Sequence, residues 1–304
     1  MLRYILMRLL QTIVALFVIS IIVFALVRLS GDPARLMAPP DATQAEYEAI
    51  RHSLGLDKSL LTQFGDFLSK IASGNFGTSY KWDAPASSVV LSRFPATLTL
   101  AGAAFLLSIV IGLSLGILAA VRKGSIWDTL ARVLATLGQS MPVFWIGLML
   151  IIVFSVTFRV LPVSGRGGLD HLILPAVTLS LFSVSALVRL TRSSMLEVLG
   201  TEYVKMARIK GLPEILVVTK HALRNALIPV VTMAGMQLGA LLRGAIVTEV
   251  VFAWPGVGRL SVDAVLARDF PVVQAAVFLF AATYLTINLV VDILYCYIDP
   301  RIRY

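Results

Sequence analysis

Charge is scarce in this 304-residue chain: 14% of its residues are charged, where soluble domains carry roughly 25%. With 58% hydrophobic residues beside so little charge, the chain cannot cover a water-facing surface and reads as a membrane protein. It has one cysteine, Cys296, which excludes an intrachain disulfide and leaves the redox compartment undetermined. The three histidines, His52, His171 and His221, fall on different sides of the topology derived below and make no shared metal site. Stretches of the form G-x-S-x-G and H-E-x-x-H are missing, which leaves a membrane-embedded hydrolase without its usual constellation. G-x-x-x-x-G-K-[ST] is missing too, so any ATP used here has to be bound by another polypeptide.

What the chain does have is six apolar runs, near 9–29, 96–121, 134–158, 172–190, 227–252 and 272–298. Each approaches the ~20 residues that cross about 30 Å of hydrocarbon at 1.5 Å per helical residue. The first follows the basic opening "MLRYILMR" and is longer than the roughly 7–15 apolar residues of a secretory signal. "RLSGDPARL" offers no clear small-x-small cleavage site, so a retained span is expected. Pro142 interrupts the third run in "GQSMPVFW" and predicts a kink, because proline removes a backbone hydrogen bond. Gly112, Gly116 and Ala120 in the second run, and Gly235 and Gly239 in the fifth, suit close helix approach; glycine is also simply common in membrane helices.

Lys and Arg set the orientation. With the N-terminus inside, Arg3, Arg8, Arg122, Lys123, Arg132, Arg189, Arg192, Lys205, Arg208, Lys210, Lys220, Arg224, Arg301 and Arg303 are inside. The two short outside loops hold Arg159, Arg166, Arg259 and Arg268. Both termini are therefore expected in the cytoplasm. The net charge of +9 is thus largely topological, and no nucleic-acid-binding signature accompanies it.

Four regions follow from this pass: an N-terminal span (1–30), an external helical segment (31–95), a five-helix core (96–304) and, within the core, a cytoplasmic loop (201–227). In the external segment "TQAEYEAI" has the capping-box form, Thr43 before Glu46, with Gly55 suited to the helix end. "KSLLTQFGDFLSKIAS" sets Leu60, Phe64, Phe67, Leu68 and Ile71 at helical spacing, and Gly74 and Gly77 then predict a turn. Ionisable residues inside spans are candidates for a pathway. They are Arg243, which can face water or pair with a carboxylate such as Glu249, and Asp292 with Asn288 one turn before it. A self-sufficient ion-coupled transporter built on Arg243 or Asp292 is the reading they would support.

The cytoplasmic loop "TEYVKMARIKGLPEILVVTKHALRNALIPVV" divides into two helical pieces, 201–210 and from Pro213 onward. Gly211 suits the left-handed position after the first, and Pro213 the first turn of the second. Tyr203, Met206, Ala207 and Lys210 are placed on one face of the first piece by the i, i+3, i+4 rule, with Ala207 and Gly211 leaving room for another surface. An amphipathic helix lying in the headgroups fits the same pattern.

"EYVKMARIKG" followed by "HALRNALIPVV" resembles the cytoplasmic loop of the permease subunits of binding-protein-dependent ABC importers, in the dipeptide, oligopeptide and nickel group. "RLLQTIVALFVISIIVFALVRLSGDPA", "GNFGTSY", "RFPATLTL", "LILPAVTLSLFSVSALVRLTRSSMLEVL", "EVVFAWPGVGRL" and "NLVVDILYCYIDPRIRY" extend the resemblance nearly end to end. It implies an all-α polytopic type I importer permease fold with six transmembrane helices, in a bacterial inner membrane. The first loop helix would couple to an ATPase subunit through Glu202, Lys205, Met206, Ala207, Arg208, Lys210, Gly211 and Leu212. Ala207 and Gly211 match the alanine and glycine of the E-A-A-x-x-x-G pattern, whereas Lys205 replaces its acid. Implied partners are a second, related permease chain, two ATPase subunits carrying ATP and Mg, an external solute-binding protein and membrane lipid; this chain itself would hold no cofactor and do no chemistry. The long segment before the second span resembles the first, B-type, permease of such a pair. Trp254, Pro255, Gly256 and Gly258 lie in the region that faces the binding protein in that family; a connecting re-entrant loop is the plainer reading. Peptides are the substrate class the resemblance implies, with nickel or glutathione as alternatives.

Overall fold

The computed structural model describes residues 2–29, 34, 41, 43–53 and 55–298. The "SGDP" stretch at 30–33 and the terminal "DPRIRY", with Arg301 and Arg303, lie outside the described residues. The described regular structure is helical. Its elements are α1 (Leu2–Leu29), α2 (Gln44–Ser53), α3 (Leu60–Ala72), α4 (Ala86–Val121), α5 (Ile126–Ser140), α6 (Val143–Thr157), α7 (Leu169–Leu199), α8 (Glu202–Ile209), α9 (Glu214–Val251), α10 (Val257–Leu266) and α11 (Phe270–Ile298). Helices α1, α4, α7, α9 and α11 are long and apolar enough to cross a membrane, and α5 with α6 forms a bent pair that makes a sixth crossing if taken as one. The chain divides into two compact units, one of 2–96 with 256–286, the other of 97–255 with the segment from Ile287.

In the first unit the expected capping box forms. The Thr43 amide donates to Glu46 Oε2 at 2.8 Å and the Glu46 amide to Thr43 Oγ1 at 3.3 Å, which holds the Glu46 carboxyl below its ordinary range. Gly55, Gly74 and Gly77 all take positive φ, as their expected turns require. The apolar face of α3 packs on α1: Phe64 meets Phe17 and Phe24 edge-on, with centroids 5.9 and 5.2 Å apart. Arg28 stacks on Phe24 and donates to Gln63, whose amide in turn donates to the Leu56 and Lys58 carbonyls. Farther along, the start of α4 packs through Ala86 and Val90 against Val257, Leu260 and Ala264 of α10 and Val272 of α11. Asp269, fully buried, accepts from Ser79 and from the Lys81 amide, and so pins the loop before α4 to the turn before α11.

The second unit is organised around α7. Two thirds of its most apolar window is buried, against about a fifth for α1. A helix enclosed on most sides can carry serine and threonine because their hydroxyls return to the preceding turn: Thr178 donates to Leu174 O and Ser185 to Leu181 O, both at 2.8 Å. Ser185 also donates to Leu134 O on α5, at 3.2 Å. Glycine sets the approach of the neighbours. A Cβ at Gly112 or Gly116 of α4 would stand 2.6 Å from Leu187 Cβ or 2.5 Å from Thr191 Cβ, and one at Gly138 of α5 would stand 2.1 Å from Ser185 Oγ. The close-approach reading of Gly112 and Gly116 therefore holds.

The third apolar run is not a single kinked span. Its two helices are bent from one another by 113°. Met141, held extended ahead of proline at ψ 136°, ends α5, and Pro142, at φ −62° and ψ 136°, starts α6 from its cap position. Two successive extended residues break the helix outright. The second helix starts at Ala86 rather than near 96, so Pro95 lies inside it, and α7 runs on to Leu199, nine residues past its expected end near 190.

We expect Gly116→Leu to destabilise the detergent-solubilised chain by roughly 1–3 kcal/mol through overpacking against Thr191. Gly102→Ala, on the same helix with open space around the new Cβ, should be neutral or stabilising. Thermal unfolding of the two variants compares them directly; equal melting temperatures would refute the packing role.

Candidate functional site

Between α7 and α9 the chain makes one short helix and two sharp corners. Helix α7 ends at Leu199, Gly200 caps it, and Thr201 starts α8 from an extended conformation at ψ 153°. Helix α8 ends at Ile209, and Gly211, at φ +76°, takes the left-handed position expected of it. Its amide bonds Arg208 O at 2.9 Å and the Lys210 amide bonds Met206 O at 3.1 Å. Pro213 sits at the cap of the next helix, with φ −63°, and a π-helical turn over Val217–Ala222 leads into the long part of α9.

The two faces of α8 differ in what they meet. Val204 and Ala207 are buried, packed with Val217 and bordered by Val198 and Leu199. Ala207, expected on the outward face with Tyr203 and Met206, points inward because it lies three residues from Val204 on the stripe that meets α9. Met206 and Ile209 are exposed at 52% and 77%, with Tyr203 and Leu212 also open. Polar ties complete the corner. Asn225 Nδ2 donates to Tyr203 Oη at 2.7 Å, and Tyr203 donates to His221 O at 3.4 Å. Arg208 grips Glu214 with two hydrogen bonds, of 2.7 and 3.1 Å, which push its guanidinium pKa up. Lys205 pairs with Glu202 at 2.7 Å on the open face, and Lys210 is exposed. Such exposed pairs contribute under about 1 kcal/mol each, so the buried valines and Ala207, rather than the charges, hold α8 in place.

The other site candidates are dispersed. Arg243 lies exposed on α9, whereas Glu249 is fully buried and accepts from Thr97 Oγ1 at 2.6 Å. Six residues apart, the two stand about 120° apart around the helix. Asn288 and Asp292 are half-buried, one turn apart on α11. Trp254 is 2% exposed, its amide donating to Glu249 O at 2.8 Å and its ring 5.8 Å from the Arg166 guanidinium, so the indole braces the turn from within. Pro255 is half-buried; Gly256 caps α10 and Gly258 is buried in its first turn. The helix α10 itself was missed in the sequence, where ten moderately apolar residues between two spans read as a loop.

One cluster that sequence reasoning also missed sits where α5 meets α7. Asp128, 2% exposed, accepts from Arg192 Nε at 2.6 Å and Nη2 at 3.2 Å and from the Gly124 amide at 3.0 Å, with Arg132 a further 3.6 Å away. The bidentate pair ties the α4–α5 turn to α7 near the entrance to α8.

Comparison with known proteins gives a consistent pattern. The model described as "Binding-protein-dependent transport system inner membrane component" matches residues 112–304, and the N-terminal model of the same components matches 1–101. The glutathione transport system permease protein GsiC of Escherichia coli strain K12 is 46% identical over 305 residues, covering all of both chains, and so is its counterpart in Salmonella typhimurium. Among solved structures, the inward-facing MetNI methionine ABC transporter matches at TM-score 0.58 and 20% identity, over 69% of this chain and 96% of that one. An amino acid ABC transporter with histidines matches at 0.53 and 14%, over 69% and 94%. At those identities the structures speak for the fold alone.

Truncating the buried side of α8 should loosen it while truncating the open side should not. Val204→Ala is expected to cost roughly 1–3 kcal/mol and to speed amide exchange across Glu202–Ile209. Ile209→Ala should leave that exchange unchanged. Identical exchange in both variants would mean that Val204 does not anchor the helix.

Proposed function

The chain belongs to the family of binding-protein-dependent transport system inner membrane components, and we propose that within an ABC importer it forms half of the pathway for short peptides, glutathione included. As a membrane permease subunit it moves solute and is not an enzyme. The peptide class rests on the family resemblance and on the 46% identical glutathione permeases, glutathione being itself a tripeptide. A solute-binding protein outside delivers the substrate, a second, related permease completes the pathway, and ATP with Mg is held by two ATPase subunits inside. Both termini of this chain are cytoplasmic, in a bacterial inner membrane, which places α8 on the ATPase side.

The observation that carries this reading is the two-sidedness of α8. Its inner side is fused to the chain through Val204, Ala207 and Val217, and its outer side presents Met206, Ile209 and Leu212 to solvent. A helix that is locked below and apolar above is suited to fit a cleft and pass on its displacement. ATP binding draws the ATPase subunits together, α8 moves with them, and the attached ends of α7 and α9 follow. Gly211 serves this by making the corner: a β-branched residue at φ +76° costs on the order of 1–3 kcal/mol.

Met206→Asp with Ile209→Asp should abolish ATP-dependent peptide uptake in proteoliposomes and release the ATPase subunits on purification, with membrane insertion intact. Gly211→Val should lose uptake as well, and Gly211→Asn should keep most of it, since asparagine tolerates the left-handed region. Uptake by vesicles holding this chain alone would overturn the importer reading in favour of ion coupling. Uptake of nickel but not of di- or tripeptides would overturn the substrate.

A further inference from the structure

A cavity of about 450 Å³ near α1–α3 and the fully buried Glu249 are both outdone, as candidates, by a groove between α5 and α7. This groove encloses about 390 Å³, and the ionisable side chains lining it are all guanidiniums: Arg132, Arg189 and Arg192. Asp128 answers one of them through its bidentate bond to Arg192. Arg189 donates to the neutral Gln139 amide at 3.0 Å, so three positive charges share one carboxylate. Thr136, Ser140 and Ser193 add hydroxyl groups.

The groove opens on an apolar flank. Trp127, Leu130, Val133 and Leu137 are all exposed on α5 and follow one another at three- and four-residue spacing, as one stripe. The depth is set by α7, whose 31 residues span about 46 Å against roughly 30 Å of hydrocarbon. Centred on the bilayer, its end overhangs by about 8 Å, which sets Arg192 and Arg189 about 2–7 Å inside the headgroup boundary, within reach for side chains that extend toward it. Trp127 in the first turn of α5 suits the same boundary. A basic pocket between membrane helices, at headgroup depth and beside an apolar stripe, is complementary to an anionic amphiphile.

We propose that this groove binds the phosphate of an anionic phospholipid of the cytoplasmic leaflet, with acyl chains lying along the α5 stripe. The guanidiniums bind the phosphodiester oxygens and the hydroxyls the headgroup. Bound there, the lipid joins α5 to the end of α7 that leads into α8, next to the Asp128–Arg192 pair.

Native mass spectrometry of the full-length chain in mild detergent, titrated with phosphatidylglycerol and separately with zwitterionic phosphatidylcholine, tests the site. Phosphatidylglycerol should be retained about tenfold better, and Arg132→Gln with Arg189→Gln should remove that preference, leaving the Asp128–Arg192 pair in place. Arg122→Gln with Lys123→Gln, at the α4–α5 turn and outside the groove lining, should keep it. Equal retention of the two lipids by the wild type overturns the proposal without recourse to any variant. Unchanged preference in the Arg132/Arg189 double variant moves the site elsewhere and overturns it too. Displacement of the lipid by millimolar inorganic phosphate would make the ligand a free anion, and cross-linking of a second permease chain to a cysteine placed at Thr136 would make the groove a protein interface; either result overturns it.

Discussion

Everything in the second unit depends on how closely α7 can be approached. Lipid tails are as apolar as leucine, so burying a leucine against another helix gains little, and packing has to supply the association. Gly112, Gly116 and Gly138 let α4 and α5 come near enough for α7's own side chains to fill the space where a Cβ would stand. Enclosure of α7 then permits the serines and threonines that a lipid-facing helix would carry at a cost, because each hydroxyl is answered by a carbonyl one turn back or across to α5.

The break at Met141–Pro142 works with this packing. A straight third helix would present one continuous apolar surface, whereas the 113° bend separates α5, which is amphipathic, from α6, which is apolar all round. Helix α5 can therefore turn Asp128 and Arg132 toward α7 while its apolar stripe stays exposed. Burying Asp128 is tolerable because its two oxygens meet a bidentate guanidinium and a backbone amide. The same arrangement leaves excess positive charge in the groove beside it.

Helix α8 converts this scaffold into a lever. It is too short to be stable by itself. Its order comes from Val204 and Ala207 seated against Val217, and from Tyr203 tied to His221 and Asn225. A force on its open face is accordingly delivered to the end of α7 and the start of α9 together.

Much of this was legible in the residues themselves. Hydropathy located the membrane helices because backbone groups in lipid must bond within their own segment, and Lys and Arg sorting supplied the expected orientation. Local chemistry announced the capping box of Thr43 and Glu46, the positive φ of Gly55 and Gly211, and the interruption at Pro142, since each depends on a few adjacent residues. What only the tertiary structure decided was direction and pairing across long sequence separations. Periodicity placed Ala207 among outward residues, but contact with Val217 turned it inward. The size of the break at Pro142, the seating of Trp254 inside its turn and the union of Asp128 with Arg192, 64 residues away, were invisible for the same reason. Spacing along a chain states which residues share a face, and only packing states what that face meets.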